Sequence, residues 1–586
     1  MRAVLLVMIS AVAACGGHNG NGKGDSGGGG GDGGSGSDYV PPDAPVASDV
    51  TCTTLAPLGS GTCSVTAGST TVLLEGEVLT PSAIYHGGQV AVGSNGTISC
   101  VGCNCAMGGE TVVTCPGASI SPGLINMHDH ISYVNDAPPT PLTQRYDDRQ
   151  QWRTGDENAM ELTNKGGASA ANQEWGELRH LMAGATSLVG AGGENGLVRN
   201  LDESAMRGPG ITDKAVYYDT FPLDDDDGTQ QTANCNYGSD AETAADLTSH
   251  SDTSYEPHTA EGVDVYAHNE FLCESSATYD TSGAPYVSND IALPITSMIH
   301  AVALNASDYE LMASAGTGMV WSPRSNISLY GDTARVTVAS RLGVNIALGT
   351  DWLPSGSSNI LRELTCASDY NKTYLNNYFT AQDLWAMVTQ NAAKVGHMDS
   401  QIGVLAQGML ADISVFAPQS GMTPFEAVIN AQPQDVALVM RAGTTLYGDD
   451  NIVTGLAANS TTCDQISVCS TEKRACLMND ISTTYATLSS SNSGQYALFS
   501  CGAPPLNEPS CTPLRPNAVS GSTIYTGVPS AGTDSDGDGI PDAMDNCPMV
   551  FNPVRPMDNG VQPDADGDGM GDPCDPCPLD KTNSCQ

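Results

Sequence analysis

Basic residues are scarce in this sequence. Lysine and arginine together number 22, against 66 aspartates and glutamates, which gives a formal net charge of −44 at pH 7. Such a charge repels phosphate backbones and anionic lipid head groups, so the composition excludes nucleic acid as a partner. Hydrophobic residues make up 40% of the 586 residues, which is enough for at least one large buried core.

Long hydrophobic runs are also lacking, with one exception at the start of the chain. The first residues, MRAVLLVMISAVAAC, contain an apolar stretch shorter than the roughly 20 residues of a membrane-spanning helix, which is typical of a secretory signal. Its last four residues, VAAC, resemble the lipobox of bacterial lipoproteins, in which Cys15 is lipidated. The alternative is an ordinary signal with a chance cysteine. We predict an exported protein that is lipid-anchored at the outer membrane or cell surface of a bacterium.

Cysteines are plentiful, and their number suits an exported protein. The chain has 19 cysteines, and setting Cys15 aside leaves an even number, which favours disulfides. One cluster, Cys100, Cys103, Cys105 and Cys115, has the alternative interpretation of a zinc knuckle. The spacing does not determine the connectivity.

Alternating apolar runs and helical stretches dominate the middle of the chain. They favour an α/β fold with a closed (β/α)₈ TIM-like barrel, for which a doubly wound sheet is the rival. Short strands with turn glycines on both sides of this region predict a β-sandwich split by the barrel. The predicted segments are a signal peptide (1–15), a Gly/Ser-rich linker (16–50), the sandwich (51–121 and 401–458), the barrel (122–400), a small irregular Cys-rich segment (459–530) and a calcium-binding tail (531–586).

Candidate metal ligands lie at the ends of the apolar runs. In the stretch SPGLINMHDH, His128 and His130 point to the same side of an extended strand and Asp129 to the other. His258, His300 and Asp351 each close, or nearly close, a later strand-like run. Active groups of a barrel lie at the C-terminal ends of its strands, so we expect these side chains to converge. His180, on a helix-like segment, is interpreted as structural.

Five motifs, in this order, resemble the amidohydrolase superfamily and most of all its cytosine deaminase and chlorohydrolase-like branch. They are SPGLINMHDH, HTAEG, MIHA, SPRSN and ALGTDW, followed by the segment MVTQNAAKVGHMDSQIGVLAQGMLADISVF. The resemblance covers residues from about 70 to about 450. It implies a metal-activated water that hydrolyses a carbon–nitrogen bond, in an amide, an amidine or a deamination, of a small nitrogen-containing molecule.

The same resemblance implies a role for each matching residue. One divalent transition metal, zinc or iron, would be bound by His128, His130, His258 and Asp351. Catalysis would use Asp351 together with His300, which orients the water, and Glu261, which shuttles a proton. Arg324, Ser325 and Asn326 follow the seventh strand and are predicted to bind substrate, with Arg324 facing a substrate carboxylate; the alternative for Arg324 is a salt bridge within a loop. The alternatives are a buried structural histidine for His300, a helix cap for Glu261 and a turn residue for Asp351.

The acidic end of the chain contains two loops with the spacing of a calcium site. The flanking prolines and glycines exclude EF-hand helices, and the sequence DNCP followed by NP resembles the thrombospondin type 3 repeat. The alternative is a disordered acidic tail. The predicted calcium ligands are Asp534, Asp536, Asp538, Asp542 and Asp545 in the first loop, and Asp564, Asp566, Asp568, Asp572 and Asp575 in the second.

Two functions of different classes are compatible with these patterns. The first is a metal-dependent amidohydrolase with calcium repeats as an accessory module. The second is a catalytically inactive, calcium-dependent surface adhesion or scaffold protein. The complete set of candidate ligands favours the enzyme, because a binding protein does not require metal ligands and a catalytic acid at the ends of several strands.

Overall fold

The computed structural model describes residues 46–585, apart from 140–141, 143, 250–253, 283–287, 457–459 and 520. The expected signal peptide, Cys15 and most of the linker therefore lie outside the described residues. Within the described part, no helix has the length and hydropathy needed to cross a membrane.

The described strands range from two to twelve residues and are numbered in chain order. They are β1 (Ser48–Thr51), β2 (Ser64–Thr66), β3 (Val72–Leu79), β4 (Ala83–Val92), β5 (Ile98–Gly102), β6 (Thr111–Pro122), β7 (Leu124–Asn126), β8 (Ala185–Leu188), β9 (Arg199–Asn200), β10 (Tyr217–Asp219), β11 (Tyr255–Thr259), β12 (Ser297–His300), β13 (Gly318–Trp321), β14 (Ile346–Leu348), β15 (Ile413–Phe416), β16 (Val436–Arg441), β17 (Thr444–Asp449), β18 (Asp464–Val468) and β19 (Thr471–Ala475).

The described helices are mostly short, and many begin at a side-chain cap. They are α1 (Arg149–Thr154), α2 (Ala170–Met182), α3 (Ala244–Ser249), α4 (Val265–Glu274), α5 (Ala306–Ala315), α6 (Pro323–Tyr330), α7 (Val336–Arg341), α8 (Ile360–Tyr374), α9 (Ala381–Ala386), α10 (Gln390–Val395), α11 (Pro424–Ile429), α12 (Asp450–Leu456), α13 (Leu477–Asp480) and α14 (Tyr485–Ser491).

Eight short parallel strands form the centre of the molecule. They are arranged in two sheets, β7-β8-β9 and β10-β11-β12-β13-β14, whose neighbours follow chain order. Strands β7, β8, β11, β12, β13 and β14 are buried along their whole length, as is typical of parallel strands covered on both faces. Most of them are apolar, but β11 has the sequence YEPHT. The α/β class with parallel strands is confirmed, and the sequential order differs from the crossed order of a doubly wound sheet.

A large mixed sheet contains strands from both sides of the parallel region. Its order is β1-β4-β3-β6-β15-β16-β17-β19-β18, with β2 on β6 and β5 on β4. Strand β15, which follows the parallel region, pairs antiparallel with β6, which precedes it, from Ile413 opposite Pro122 to Phe416 opposite Ser119. The chain thus leaves this sheet, builds the parallel strands and returns. The residue boundaries of the predicted domains stay predictions.

Residues 460–530 have no periodicity from which strands could be predicted, but part of this segment contributes a hairpin to the sheet. Strands β18 and β19 pair antiparallel, and β19 continues the sheet from β17. Alternate residues of the hairpin are buried, including Lys473, whose ammonium group forms an ion pair with Asp449. A charged residue at a buried position disguised the two-residue period of a strand.

The C-terminal segment packs against the loops of the parallel region. Arg555 forms a buried ion pair with Asp332 at 2.8 Å and donates to the carbonyl groups of Val302 and Thr333. Arg335 and Asp558 form a second ion pair at 2.6 Å. Charge-assisted hydrogen bonds of this kind fix orientation, so the tail is an integral part of the packed body.

Nine disulfides join the cysteines of the described residues. This confirms the prediction of disulfides, and the zinc-knuckle alternative is wrong because its four cysteines are all in bridges. The pairs are Cys52–Cys103, Cys63–Cys115, Cys100–Cys105, Cys235–Cys273, Cys366–Cys511, Cys463–Cys476, Cys469–Cys501, Cys547–Cys574 and Cys577–Cys585.

Candidate metal centre

The predicted metal-site residues follow the C-terminal ends of four parallel strands. His128 and His130 come directly after β7, and His258 lies in β11. His300 ends β12, and Asp351 follows β14 by three residues. Both His300 (φ 71°) and Asp351 (φ 57°) adopt a left-handed backbone conformation that costs about 1–3 kcal/mol and is retained at functional sites.

The side chains of these residues converge on one point. Nε2 of His128 lies 3.2 Å from Oδ1 of Asp351, and Nε2 of His130 lies 3.4 Å from the same oxygen. Ligand atoms of His128, His130 and His258 lie within 4.8 Å of one another, as do those of His128, His300 and Asp351. The expected convergence is therefore observed, and three imidazoles and one carboxylate form a donor set that suits zinc or iron.

A hydrogen bond on the far side of the His258 ring prepares its other nitrogen for a cation. Nδ1 of His258 lies 3.0 Å from the carbonyl oxygen of Asp219, to which it donates, so Nε2 presents a lone pair to the cluster. Within the described residues, both buried nitrogens of His128 and Nε2 of His300 have no hydrogen-bond partner, and Nε2 of His128 is the nitrogen that faces Asp351. Buried polar atoms without partners are rare, and an unpaired nitrogen at this point fits a site built for a ligand.

Asp129 points away from the cluster, as strand alternation predicts. Its Oδ2 accepts hydrogen bonds from Thr350 at 2.7 Å and Asn126 at 3.2 Å and lies 3.0 Å from Nε2 of His180. These buried contacts tie β7 to the loop after β14, so His180 acts as a structural residue. The pair of histidines around Asp129 is thereby fixed in position.

A chain of hydrogen bonds determines the tautomer of His300. The Trp321 indole can only donate, and it donates to Oγ1 of Thr333 at 2.7 Å. That hydroxyl in turn donates to Oδ1 of Asn326 at 3.1 Å. The Asn326 amide therefore presents its NH₂ group to Nδ1 of His300, at 3.0 Å. His300 must accept there, so its proton is on Nε2, which faces Glu261 Oε2 at 3.7 Å.

Glu261 lies beside the cluster and is held by an aromatic pair. The Tyr330 hydroxyl donates to Oε1 of Glu261 at 2.7 Å and accepts from the Trp152 indole at 2.8 Å. Burial raises the pKa of Glu261 to about 8, with a further contribution from the charge of Asp351. A carboxyl group that titrates near neutral pH can both accept and release a proton. The helix-cap alternative is wrong, because Asp264 caps the following helix α4.

Burial sets the charge state of the candidate ligands. Desolvation lowers the pKa of His130 to about 4 and that of His300 to about 3, and it holds the pKa of His258 well below its usual range. These three imidazoles are therefore neutral at pH 7. Burial acts to raise the pKa of Asp351, but the neighbouring histidines outweigh it and hold that pKa well below the usual range, so the carboxyl is ionised.

The three residues predicted to bind substrate make contacts of another kind. Arg324 is buried and donates to Ser357 at 2.5 Å and to the carbonyl groups of Arg362 and Pro509. Ser325 and Asn326 contact the metal-site residues instead: Ser325 donates to Oδ2 of Asp351 at 2.5 Å, and Asn326 donates to His300. Their role in substrate binding stays a prediction, and the observed contacts orient Asp351 and His300.

A cavity of about 380 Å³ opens over the cluster. His130, His258, Glu261, His300 and Asp351 form its polar end. The remaining wall combines polar side chains with four aromatic ones; the polar residues are Arg149, Arg153, Asn164 and Thr220, and the aromatic residues are Tyr133, Trp152, Phe221 and Trp352. The rings of Trp152 and Trp352 lie 5.2 Å apart and those of Tyr133 and Trp352 6.1 Å apart. This volume and lining suit a small planar molecule.

The region 196–257, whose role could not be deduced from the sequence, supplies part of the cavity wall. Arg149 forms a buried ion pair with Asp225 at 2.6 Å and donates to the carbonyl of Thr220 at 2.9 Å. The Arg153 guanidinium lies 4.2 Å from the centre of the Phe221 ring, a cation–π contact. The acidic run LDDDDG thus contains Asp225, the ion-pair partner of Arg149 that anchors this region. No local sequence pattern distinguishes Asp225 from the neighbouring aspartates.

Comparisons with known proteins place this site in a family. A 5-methylthioadenosine/S-adenosylhomocysteine deaminase from Teredinibacter turnerae is 32% identical over 123 residues, which cover 20% of this chain and 28% of that protein. The corresponding protein of Caldicellulosiruptor saccharolyticus is 32% identical over 164 residues, or 26% of this chain and 38% of that protein. The matched segments thus span well under half the length of these relatives.

One solved structure among the matches is an adenosine deaminase from Xanthomonas campestris with bound zinc. It is 18% identical, with a TM-score of 0.47, over 64% of this chain and 92% of that chain. The model of the amidohydrolase family matches residues 119–446, which include every residue of the cluster and more than half of the chain. The chain belongs to the amidohydrolase family.

Proposed function

We propose that this protein is a metal-dependent hydrolase of carbon–nitrogen bonds in small nitrogen-containing molecules. The observation that carries the proposal is the convergence of His128, His130, His258 and Asp351 on one point beside Glu261. The amidohydrolase family and the names of the deaminase relatives support the reaction class. An inactive scaffold would not require convergent histidine and aspartate side chains next to a carboxyl group with a raised pKa.

The chain's own residues have complementary tasks in this reaction. A divalent cation held by the three histidines and Asp351 would supply nucleophilic water at neutral pH. Glu261, held at Oε1 by Tyr330, takes a proton from the attacking water at Oε2 and passes it to the departing nitrogen, which cannot leave as an anion. His300 donates from Nε2 to the oxygen that develops negative charge at the reacting carbon.

We also propose that the eight parallel strands form a closed barrel. Two backbone hydrogen bonds support closure. Met127, which follows β7, donates from its N–H to the carbonyl of Leu348 in β14 at 3.1 Å. Val216, which precedes β10, donates from its N–H to the carbonyl of Leu201, which follows β9, at 3.0 Å. Each bond connects residues beside one pair of free sheet edges, which supports closure. A closed cylinder would bring the C-terminal ends of all eight strands to one mouth, where the cluster lies.

The test of the proposed activity is ammonia release by the purified full-length protein loaded with zinc. The panel contains adenosine, 5-methylthioadenosine, S-adenosylhomocysteine, cytosine and simple amides and amidines. We expect turnover of at least one nitrogen heterocycle and loss of both zinc and turnover in His258→Ala. A wild-type protein that binds no transition metal and turns over none of these compounds would support the inactive scaffold instead.

We further propose that the acidic loops of the C-terminal segment bind calcium. Carboxylate oxygens of Asp534, Asp536 and Asp538 lie within 4.8 Å of one another, as do those of Asp564, Asp566 and Asp568. The buried Oδ2 atoms of Asp536, Asp545, Asp566 and Asp575 have no hydrogen-bond partner within the described residues. Unpaired buried carboxylate oxygens are what a hard cation would satisfy. The thrombospondin-type resemblance of these loops stays a prediction.

The two remaining loop residues make different contacts. Asp542 accepts hydrogen bonds from the backbone and hydroxyl of Ser535 at 2.7 and 2.9 Å, and Asp572 accepts from the backbone of Ala565 at 2.7 Å. These bonds hold the loops in shape. Direct calcium ligation by Asp542 and Asp572 stays a prediction.

We also propose that the protein is exported, and the nine disulfides support an oxidising compartment. The lipid anchor at Cys15 is tested by labelling cells with a radioactive fatty acid, in which wild-type protein is expected to take up label and Cys15→Ser is not. An unlabelled wild-type protein in the culture medium would contradict the anchor but not export.

A further inference from the structure

Tyr218 is a residue of the metal centre that neither the sequence motifs nor the family match assigns. It is the middle residue of β10, the strand next to β11, which carries His258. Its ring stacks on that of His128 with the centroids 6.0 Å apart and meets that of His258 at 5.3 Å. The side chain therefore enters the cluster from a strand that contributes none of the expected ligands.

The hydroxyl group of Tyr218 lies among the candidate ligand atoms. Its oxygen is 3.1 Å from Nε2 and 3.3 Å from Nδ1 of His130, and 3.3 Å from Nε2 of His258. The His258 nitrogen presents a lone pair, because Nδ1 carries the proton that is donated to Asp219. The hydroxyl has one proton, so it can donate to only one of these imidazoles, and its oxygen lone pairs face the other. The arrangement thus leaves lone pairs of nitrogen and oxygen directed into one small space.

The spacing of these atoms is that of ligands around a single ion. Two ligand atoms, each about 2.0–2.1 Å from zinc and separated by an angle of about 90–110°, lie roughly 2.9–3.4 Å apart. The oxygen of Tyr218 meets this requirement toward His130 and His258. Oδ1 of Asp351, an expected ligand, shows the same spacing toward His128 and His130, at 3.2 and 3.4 Å.

We propose that the Tyr218 hydroxyl faces the cation as a fifth protein group, in addition to the three histidines and Asp351. This inference rests on the proposed metal centre but not on the identity of the substrate. A neutral oxygen ligand from the protein raises the coordination number above four and adds to the affinity for the cation. It also fixes the side of the cation that remains open toward the cavity.

Cobalt(II) tests this proposal, because its visible absorption reports coordination number: four-coordinate cobalt absorbs more strongly than five-coordinate cobalt. The full-length protein is stripped of metal, titrated with cobalt and compared with Tyr218→Phe. We expect the variant to bind cobalt about tenfold or more weakly, the size typical of lost support around a metal, and to absorb more strongly per bound ion. Circular dichroism and the thermal midpoint check that the variant is folded.

Tyr217→Phe is the matched control, since its neighbouring hydroxyl donates to Glu242 at 2.5 Å outside the cluster. We expect the control to match wild type in affinity and spectrum. Unchanged affinity and spectrum in folded Tyr218→Phe would overturn the proposal, and so would tighter binding, because the hydroxyl would then occupy the position of the cation. Absence of stoichiometric cobalt in wild type would overturn the metal centre itself, whereas cobalt binding without turnover of any substrate leaves the role of Tyr218 intact.

Discussion

The histidine cluster and the acidic C-terminal loops are two candidate cation sites of opposite design. In the cluster, imidazoles surround one carboxylate, and hydrogen bonds to Asp219 and from Asn326 set the protons of His258 and His300 before any cation arrives. In the acidic loops, the clustered candidate ligands are all carboxylates. Burial, together with the charges of neighbouring aspartates, raises the pKa of Asp536 to about 7 and that of Asp538 to about 8.

This difference indicates which cation each site selects and what the cation does there. Nitrogen-rich sites favour zinc or iron, whereas carboxylate cages favour calcium. The cluster is organised by the fold and can use its cation for chemistry. The loops contain unbalanced negative charge, so their cation would act mainly on stability. Substitutions and cation titrations can test this difference between the histidine cluster and the acidic loops.

Replacing Glu261 separates catalysis from metal binding in the cluster. Glu261→Gln keeps the hydrogen bond from Tyr330 but cannot shuttle a proton, so we expect kcat to fall about 10²–10⁴-fold with zinc content unchanged. Mass spectrometry of bound metal and steady-state kinetics measure the two quantities. Glu310→Gln, on the exposed surface of α5, is the control. Normal turnover in Glu261→Gln would remove this residue from the mechanism.

Glu363 is a buried carboxyl group outside both candidate cation sites, and it shows how burial shifts a pKa where no cation is proposed. Burial raises the pKa of Glu363 to about 7, although Arg324 opposes the shift. Because the folded-state pKa lies above the usual value of 4.5, the stabilisation is present below about pH 4.5 and is lost as the pH rises through about 7.

We therefore expect wild type to lose on the order of 3 kcal/mol of unfolding free energy between pH 4.5 and 8 relative to Glu363→Gln, which stays neutral. Urea unfolding at several pH values measures the difference. Parallel pH dependences for the two proteins would show that Glu363 does not titrate in this range.

Calcium is expected to stabilise the C-terminal loops without affecting the cluster. At a concentration of 100 times its Kd, calcium adds about 2.7 kcal/mol to the free energy of unfolding. We expect Asp536→Asn to lose most of the contribution from the first loop and Asp399→Asn, at an exposed position, to lose none. Calorimetry with and without calcium provides the measurement, and equal shifts in both variants would contradict the assignment.

The tautomer of His300 gives the smallest of the four effects. Asn326→Asp replaces a donor to Nδ1 with an acceptor, which favours the proton on Nδ1 and removes the Nε2–H donor from the cavity. We expect kcat to fall about tenfold or more, with KM and zinc content nearly unchanged. Asn95→Asp, in an exposed turn, is the control. Equal loss in kcat and in metal content would indicate a structural role instead.

The positions of the ligands could be predicted from the sequence because they depend on local order. His128, His300 and Asp351 each follow or end a buried apolar run, His258 lies near the end of the buried strand β11, and parallel strands bring their C-terminal ends to the same side. The contacts that set their chemistry could not be predicted. Tyr330 and Glu261 are 69 residues apart in the chain, and Asn326 and His300 are 26 apart.

The same reason explains the other differences between sequence and structure. Asn326 was expected to touch substrate, but the direction of its amide depends on Thr333 and Trp321, which no spacing rule connects to it. The hairpin of β18 and β19 was missed because the buried Lys473 interrupts its apolar alternation. Disulfide pairing likewise depends on the packed fold rather than on spacing.

The most direct test of the metal centre is a crystal structure of the zinc-loaded protein with anomalous data collected at the zinc absorption edge. We expect one strong anomalous peak among His128, His130, His258 and Asp351, within bonding distance of all four residues. An absence of signal there, or a signal confined to the loops at 534–545 and 564–575, would contradict the proposed hydrolase.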